Sequence, residues 1–160
     1  MAVYVREKDL ALGLDPGRDK TGFAFVNLDG ELLVSGIFPT AEIEKFFADF
    51  TLYVIECRTD SGHDDMISRA EFIAVGNGTT SRDFVRLVKN IAGLEVITVD
   101  EKNTTLEARG LYWKIHKPSF WTRLMPEGMR VPKRPLDDLA AWGVALRGLK
   151  KYRDIRRNKL

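Results

Sequence analysis

The sequence predicts an α/β fold: a mixed five-stranded sheet flanked by helices. Three observations predict it. The first third of the chain is a series of short apolar runs broken by turn residues. From about residue 40 onward, apolar runs alternate with stretches of helical periodicity. An Ala-rich amphipathic segment beginning at Asp137 closes the chain. Antiparallel strands followed by strand–helix–strand steps call for a mixed sheet, with the later strands parallel and right-handed crossovers covering it.

The elements follow in order. Leu10 to Leu14 reads as a first strand, broken by Pro16-Gly17, and about Gly22 to Asn27 as a second. Asp29-Gly30 is a hairpin signal, because glycine tolerates the positive φ of a type I′ turn. A third strand, about Glu31 to Ile37, completes a meander. Pro39-Thr40 precedes a helix start over Ala41 to Phe47. Leu52 to Cys57 fits either a continuation of that helix or a short strand. The polar stretch 58–69 reads as a loop, and Glu71 to Val75 as a strand ending in the turn Gly76-Asn77-Gly78. Thr80 to Ala92 places Phe84, Leu87, Val88 and Ile91 at helical spacing, and Gly93 suits a left-handed cap. Val96 to Val99 is the next strand. Thr104-Thr105-Leu106-Glu107 is a capping box, so a helix runs from there to about Ile115. Residues 116–135 hold four prolines and form a long basic loop. The last helix spans about Asp137 to Tyr152, leaving a basic tail at 153–160. Trp113 and Trp142 fall on apolar helix faces and are expected in the core.

A chain of 160 residues fits one domain, here 1–160, with 44% hydrophobic and 30% charged residues. No apolar stretch reaches the roughly 20 residues of a membrane span, and the first residues lack a signal peptide's apolar segment. Cys57 is the single cysteine, which excludes an internal disulfide, and two histidines cannot complete a structural Cys/His zinc site. A cytoplasmic location is therefore expected. The net charge of +2 conceals an asymmetry: residues 1–101 hold 10 Lys/Arg against 18 Asp/Glu, and residues 102–160 hold 15 against 5. A basic half beside an acidic cluster suits a polyanion bound near a metal.

Three acidic positions carry the chemistry. Asp15 ends the first strand, Glu101 ends the run Val96 to Glu101, and Asp137-Asp138 opens the last helix. Carboxylates brought together from such positions repel one another unless a cation neutralises them, and oxygen-only ligands suit Mg²⁺ or Mn²⁺. Each position also has a plainer reading. Asp15 before Pro16 suits a turn, Asp100 or Glu101 suits a helix N-terminus, and Asp137 suits an N-cap.

Three segments together resemble the YqgF (RuvX) family of RNase H-like nucleases, which is related to the RuvC resolvases. They are Leu12-Gly13-Leu14-Asp15-Pro16-Gly17 with the later Gly22, Val99-Asp100-Glu101-Lys102-Asn103-Thr104-Thr105, and Asp137-Asp138-Leu139-Ala140-Ala141. The resemblance spans Leu10 to about Tyr152 and implies an RNase H-like fold and a two-metal-ion nuclease acting on structured nucleic acid. The implied role is small-subunit pre-rRNA processing or Holliday-junction resolution, the latter requiring a homodimer. Asp15, Glu101 and Asp137 are then the catalytic, metal-binding carboxylates, with Asp138 able to exchange roles with Asp137. Lys102 departs from the family's usual Arg, and the loop at 116–135 is longer than typical.

Expected nucleic-acid contacts are Arg18, Lys20, Lys102, Lys114, Lys117, Arg123, Lys133 and Arg134. Phe120 and Trp121 either stack on unpaired bases or close over the core. Glu56, after Tyr53-Val54-Ile55, is similar to the Ile-Glu of the RuvC branch and is an alternative ligand. His63, Asp64 and Asp65 are metal-like by type but fit a solvated turn. Thr21 and Gly17 suit either phosphate contact or a tight turn. Two other functions compete: a non-catalytic nucleic-acid-binding module, and a fragment of an actin-like ATPase or kinase, whose phosphate loop also reads Asp-x-Gly followed by Thr-Gly.

Overall fold

In the computed structural model, described here for residues 7–60, 62–63, 65–78, 81–102, 104–126 and 129–159, six strands form one sheet in the order β4-β3-β2-β1-β5-β6. The strands are β1 (Leu10–Pro16), β2 (Lys20–Asn27), β3 (Leu32–Pro39), β4 (Val54–Cys57), β5 (Ala70–Gly76) and β6 (Val96–Val99). The helices are α1 (Ile43–Ala48), α2 (Ser81–Ala92), α3 (Thr104–Ile115), the short α4 (Phe120–Arg123) and α5 (Asp137–Asn158). The side chains of residues 81, 104 and 105 lie outside the description, as do Asp64 and Asn103, so the Thr104 capping box falls there too.

The expected class is present: β1, β2 and β3 pair antiparallel, and β5 pairs parallel with both β1 and β6. The expected strand number is corrected from five to six. Val54–Cys57 is an antiparallel edge strand on β3, with Ser35 opposite Glu56. Four residues behind a 3-10 turn (Phe50–Tyr53) are too short to show a period, which is why the sequence left them open. The tail at 153–160 is also corrected. Helix α5 continues to Asn158, through good helix formers such as Arg153, Arg156 and Arg157.

Strand alternation sorts the core into two layers. Leu10, Leu12 and Leu14 of β1 join Phe23, Phe25, Phe38, Phe46 and Phe50 under α1 and α2. Ala11 joins Ala24, Phe72 and Ala74 under α3 and α5. The second face is floored by small residues. A side chain at Gly13 would strike the Ala141 carbonyl, and one at Gly148 would strike Ala74. Helix α5 therefore lies directly on the sheet, crossing β1 and β2. Trp142 is buried as expected, its indole N–H donating to the Gly30 carbonyl at 2.9 Å. Gly30 has φ +88° in the β2–β3 turn and Gly93 has φ +63° after α2, as their sequence contexts require.

Candidate active site

The same alternation turns Asp15 toward α5. Asp15 follows Leu14 on the central strand, so it shares the face of Ala11 and Gly13. It lines a cavity of about 230 Å³ with Ala108, Leu136, Asp137 and Ala140. Its immediate neighbours across the sheet are glycines. Gly22 is its register partner on β2. A Cβ there would collide with the Asp137 carbonyl, so Gly22 is what lets the first turn of α5 descend beside Asp15. On the other side, β5 runs parallel with Leu14 opposite Val75, which brings Gly76 level with Asp15. A Cβ at Gly76 would collide with the Glu101 carboxylate, and one at Gly78 would also meet it. Two absent side chains thus admit two carboxylates to the flanks of a third.

Glu101 is positioned by its backbone. Its amide donates to Asn77 Oδ1 at 3.3 Å, and the Asn77 amide donates to the Val99 carbonyl at 2.9 Å. Arg147 of α5 donates to the carbonyls of Asp100 and Lys102, on either side of Glu101, and to Glu107 Oε1 at 2.6 Å. The Asp100 carboxylate accepts from the Lys102 amide at 2.9 Å, so it shapes the turn while Glu101 faces the site. Gly76 and Asn77 stood in the sequence as a turn; Arg147 carried no signal, because one arginine on a long basic helix is indistinguishable from its neighbours.

The electrostatics follow from this packing. Burial, then the charge of Glu101 and a hydrogen bond with it, then the charge of Asp137, push the Asp15 carboxyl up to about 7. Asp137 is met by Lys20 Nζ at 3.2 Å. The hairpin carrying Lys20 is braced by Thr40, whose hydroxyl donates to the Gly17 carbonyl at 2.9 Å and lies 2.9 Å from the Thr21 hydroxyl. Thr21 and Gly17 therefore serve the turn.

Asp138 points elsewhere. It is fully buried, with Ser35 Oγ donating to it at 2.7 Å and Arg134 donating at 2.7 and 3.1 Å. Arg134 also donates to Glu56 Oε1 at 2.8 Å, which lies 2.6 Å from His116 Nε2. Burial works against the charge on Glu56, yet Arg134 and His116 outweigh it and hold that carboxyl below its usual range. Glu56, Asp138 and Arg134 thus form a network that pins both ends of segment 116–135.

The remaining expected contacts are spread out. Arg18 and Lys102 are exposed on the turns beside Asp15 and Glu101, and Lys117, Arg123 and Lys133 are exposed along segment 116–135. Lys114 lines a different cavity, beside Asp29, Gly30 and Glu31. Phe120 and Trp121 do not close over the core: they are 70% and 76% exposed, edge to face at 5.6 Å. His63 lies 3.3 Å from Cys57 Sγ, and Asp65 lies 3.8 Å from Arg69.

The donor set around Asp15 fits a hard divalent cation, being oxygen only. Among the described residues, no group of three or more His, Cys, Asp or Glu is spaced to hold a metal ion. Instead, Asp15 hydrogen-bonds Glu101, and the Lys20 ammonium meets Asp137. No described helix is long and apolar enough to cross a membrane.

No protein-family model matches the chain, and no curated protein matches it. Among solved structures it is similar to Thermus thermophilus RuvC, at 14% identity and a TM-score of 0.44, over 91% of this chain and 96% of that one. It is also similar to a ROK family glucokinase from Streptomyces griseus in complex with glucose and AMPPNP, at 17% identity and a TM-score of 0.40, over 62% of this chain. The chain spans 36% of that glucokinase's length. These are likenesses of backbone outline and say nothing about chemistry.

Proposed function

We propose that the protein is a metal-dependent nuclease that hydrolyses phosphodiester bonds in structured nucleic acid. One observation carries the reading: Asp15 is flanked by Gly22 and Gly76, and each glycine makes room for one further acidic residue, Asp137 and Glu101. Folding has brought together like charges that cost stability, and such sites are where function is found.

Asp15, Glu101 and Asp137 would hold Mg²⁺ or Mn²⁺, which when bound supplies Lewis-acid activation of a phosphodiester and neutralises developing charge. The chain's own residues do the rest. Asp15 sheds its proton, Arg147 and Asn77 keep Glu101 aimed, and Lys20, released from Asp137, is free to face a phosphate oxygen. Asp138 is a structural acid in this reading, and Arg134 a staple; neither is a ligand or a substrate contact. The basic carboxy-terminal half and the exposed Phe120-Trp121 pair suit RNA or DNA with unpaired segments.

The test is a cleavage panel of small-subunit pre-rRNA, single strands, duplexes and four-way junctions with Mg²⁺ or Mn²⁺. The wild type cuts at least one, with structured RNA preferred, and Asp15→Asn cuts none while still binding. Binding without cleavage under every metal would favour the non-catalytic module instead.

A further inference from the structure

A second cationic feature lies outside the residues that line the Asp15 cavity. Helix α2 carries Arg82, Arg86 and Lys89 at i, i+4 and i+7, all exposed and on one side of the helix. They face β6 across a groove of about 320 Å³, lined by Arg82, Val85, Arg86, Lys89 and Thr98. The lining holds no carboxylate, and among the described residues none of the three cations is ion-paired. Asp83 is the acidic residue on α2 itself. At the other side of β6, Lys151 Nζ donates to the Thr98 carbonyl at 2.8 Å, adding positive charge at the sheet edge.

The groove lies on the α2 face of the sheet and shares no lining residue with the Asp15 cavity, but its two walls start near the acidic site along the chain. Helix α2 begins three residues after Gly78, which borders the Glu101 carboxylate, and β6 ends two residues before Glu101 itself. The start of α2 and the end of β6 are thus both within three residues, along the chain, of a residue that borders or supplies the Glu101 carboxylate. The cation row spans about 10 Å at 1.5 Å of rise per residue, or about three nucleotides at 3.4 Å per stacked nucleotide. Val85 gives the floor an apolar stretch against which a sugar can rest. A sulfate-sized anion would need one cation; a row of three along a groove fits a polymer of phosphates.

We propose that the α2–β6 groove binds the sugar-phosphate backbone of a nucleic-acid strand leading away from the carboxylate site. The inference rests on the nuclease reading for the identity of the polymer. The contacts are to phosphate, so they set affinity and register without reading sequence.

The test is equilibrium binding, in EDTA, of a fluorescein-labelled RNA stem-loop with a 12-nucleotide single-stranded tail, over a series of salt concentrations. The proteins are wild type, Arg82→Gln/Arg86→Gln/Lys89→Gln, and the charge-keeping Arg82→Lys/Arg86→Lys. Removing three phosphate contacts should flatten the slope of log affinity against log salt by about 2. Affinity at low salt should fall at least tenfold, and the Lys variant should keep the wild-type slope. Unchanged slope and affinity in the folded Gln variant (checked by circular dichroism) overturns the groove, as does a wild type that does not bind the probe or a Lys variant that loses as much as the Gln one. The two readings fail separately. A wild type that cleaves while the Gln variant keeps the wild-type slope leaves the nuclease and removes the groove. Slope loss in a protein that cleaves nothing with Mg²⁺ or Mn²⁺ keeps the groove and removes the nuclease.

Discussion

The Glu101 carboxylate occupies the space that a side chain at Gly76 would fill. Gly76 is the last residue of β5, and Glu101 follows β6, the neighbouring parallel strand. Gly76→Ala should displace Glu101, abolish cleavage, and cost about 1–3 kcal/mol through overpacking. In a Glu101→Ala background the same substitution should cost much less. A double-mutant cycle by urea denaturation checks this, with an expected coupling above about 1 kcal/mol.

Asp15 gives a pH signature. Its folded pKa of about 7 lies above its ordinary value of 3.8, so the unfolded chain sheds this proton first. The stability associated with Asp15 is present below pH 4 and lost as pH rises through about 7. Metal-free wild type should therefore melt lower at pH 8 than at pH 5.5 relative to Asp15→Asn, which escapes the penalty by an amount on the order of a few kcal/mol. Thermal scans of both proteins in EDTA measure it. Cation affinity should move the other way, rising from pH 6 to 8 as the ligand loses its proton.

Arg134 should matter more for folding than for binding. It is 21% exposed and spans Asp138 and Glu56. Arg134→Ala leaves the buried Asp138 charge without its partner, and the expected loss is about 3–5 kcal/mol. The lowered Glu56 carboxyl adds a sign: its contribution is present above its unfolded pKa and fades as the medium is acidified. Released ends of segment 116–135 should also show as faster tryptic cutting after Arg123 and Arg130.

Arg147 tests how far the turn around Glu101 must be fixed. Arg147→Ala removes the donors to the Asp100 and Lys102 carbonyls. Cation affinity read by calorimetry should fall about 10–100-fold, as for other residues that orient ligands. The melting temperature should shift by only a few degrees.

Much of this was legible in the sequence, for identifiable reasons. Strands β1 to β3 announced themselves because Pro16-Gly17 and Asp29-Gly30 punctuate strongly apolar runs. The candidate acids were visible because each ends or opens a periodic element. Their convergence was expected only through the resemblance, since the glycines that permit it act through space: Gly22 read as a motif residue and Gly76 as a turn until β1 is placed between β2 and β5. Strand β4 was too short to show a period. The different fates of Asp137 and Asp138 were hidden because adjacent helix residues point about 100° apart. One meets Lys20, and the other is sealed against Ser35 and Arg134.

Asp15, Glu101 and Asp137 are proposed to form one divalent-ion site. Anomalous diffraction from crystals soaked in Mn²⁺ tests it most directly. A manganese peak is expected about 2.1–2.3 Å from oxygens of all three residues, with Lys20 withdrawn from Asp137. A peak ligated without Asp15, or no peak among these side chains at saturating Mn²⁺, would contradict it.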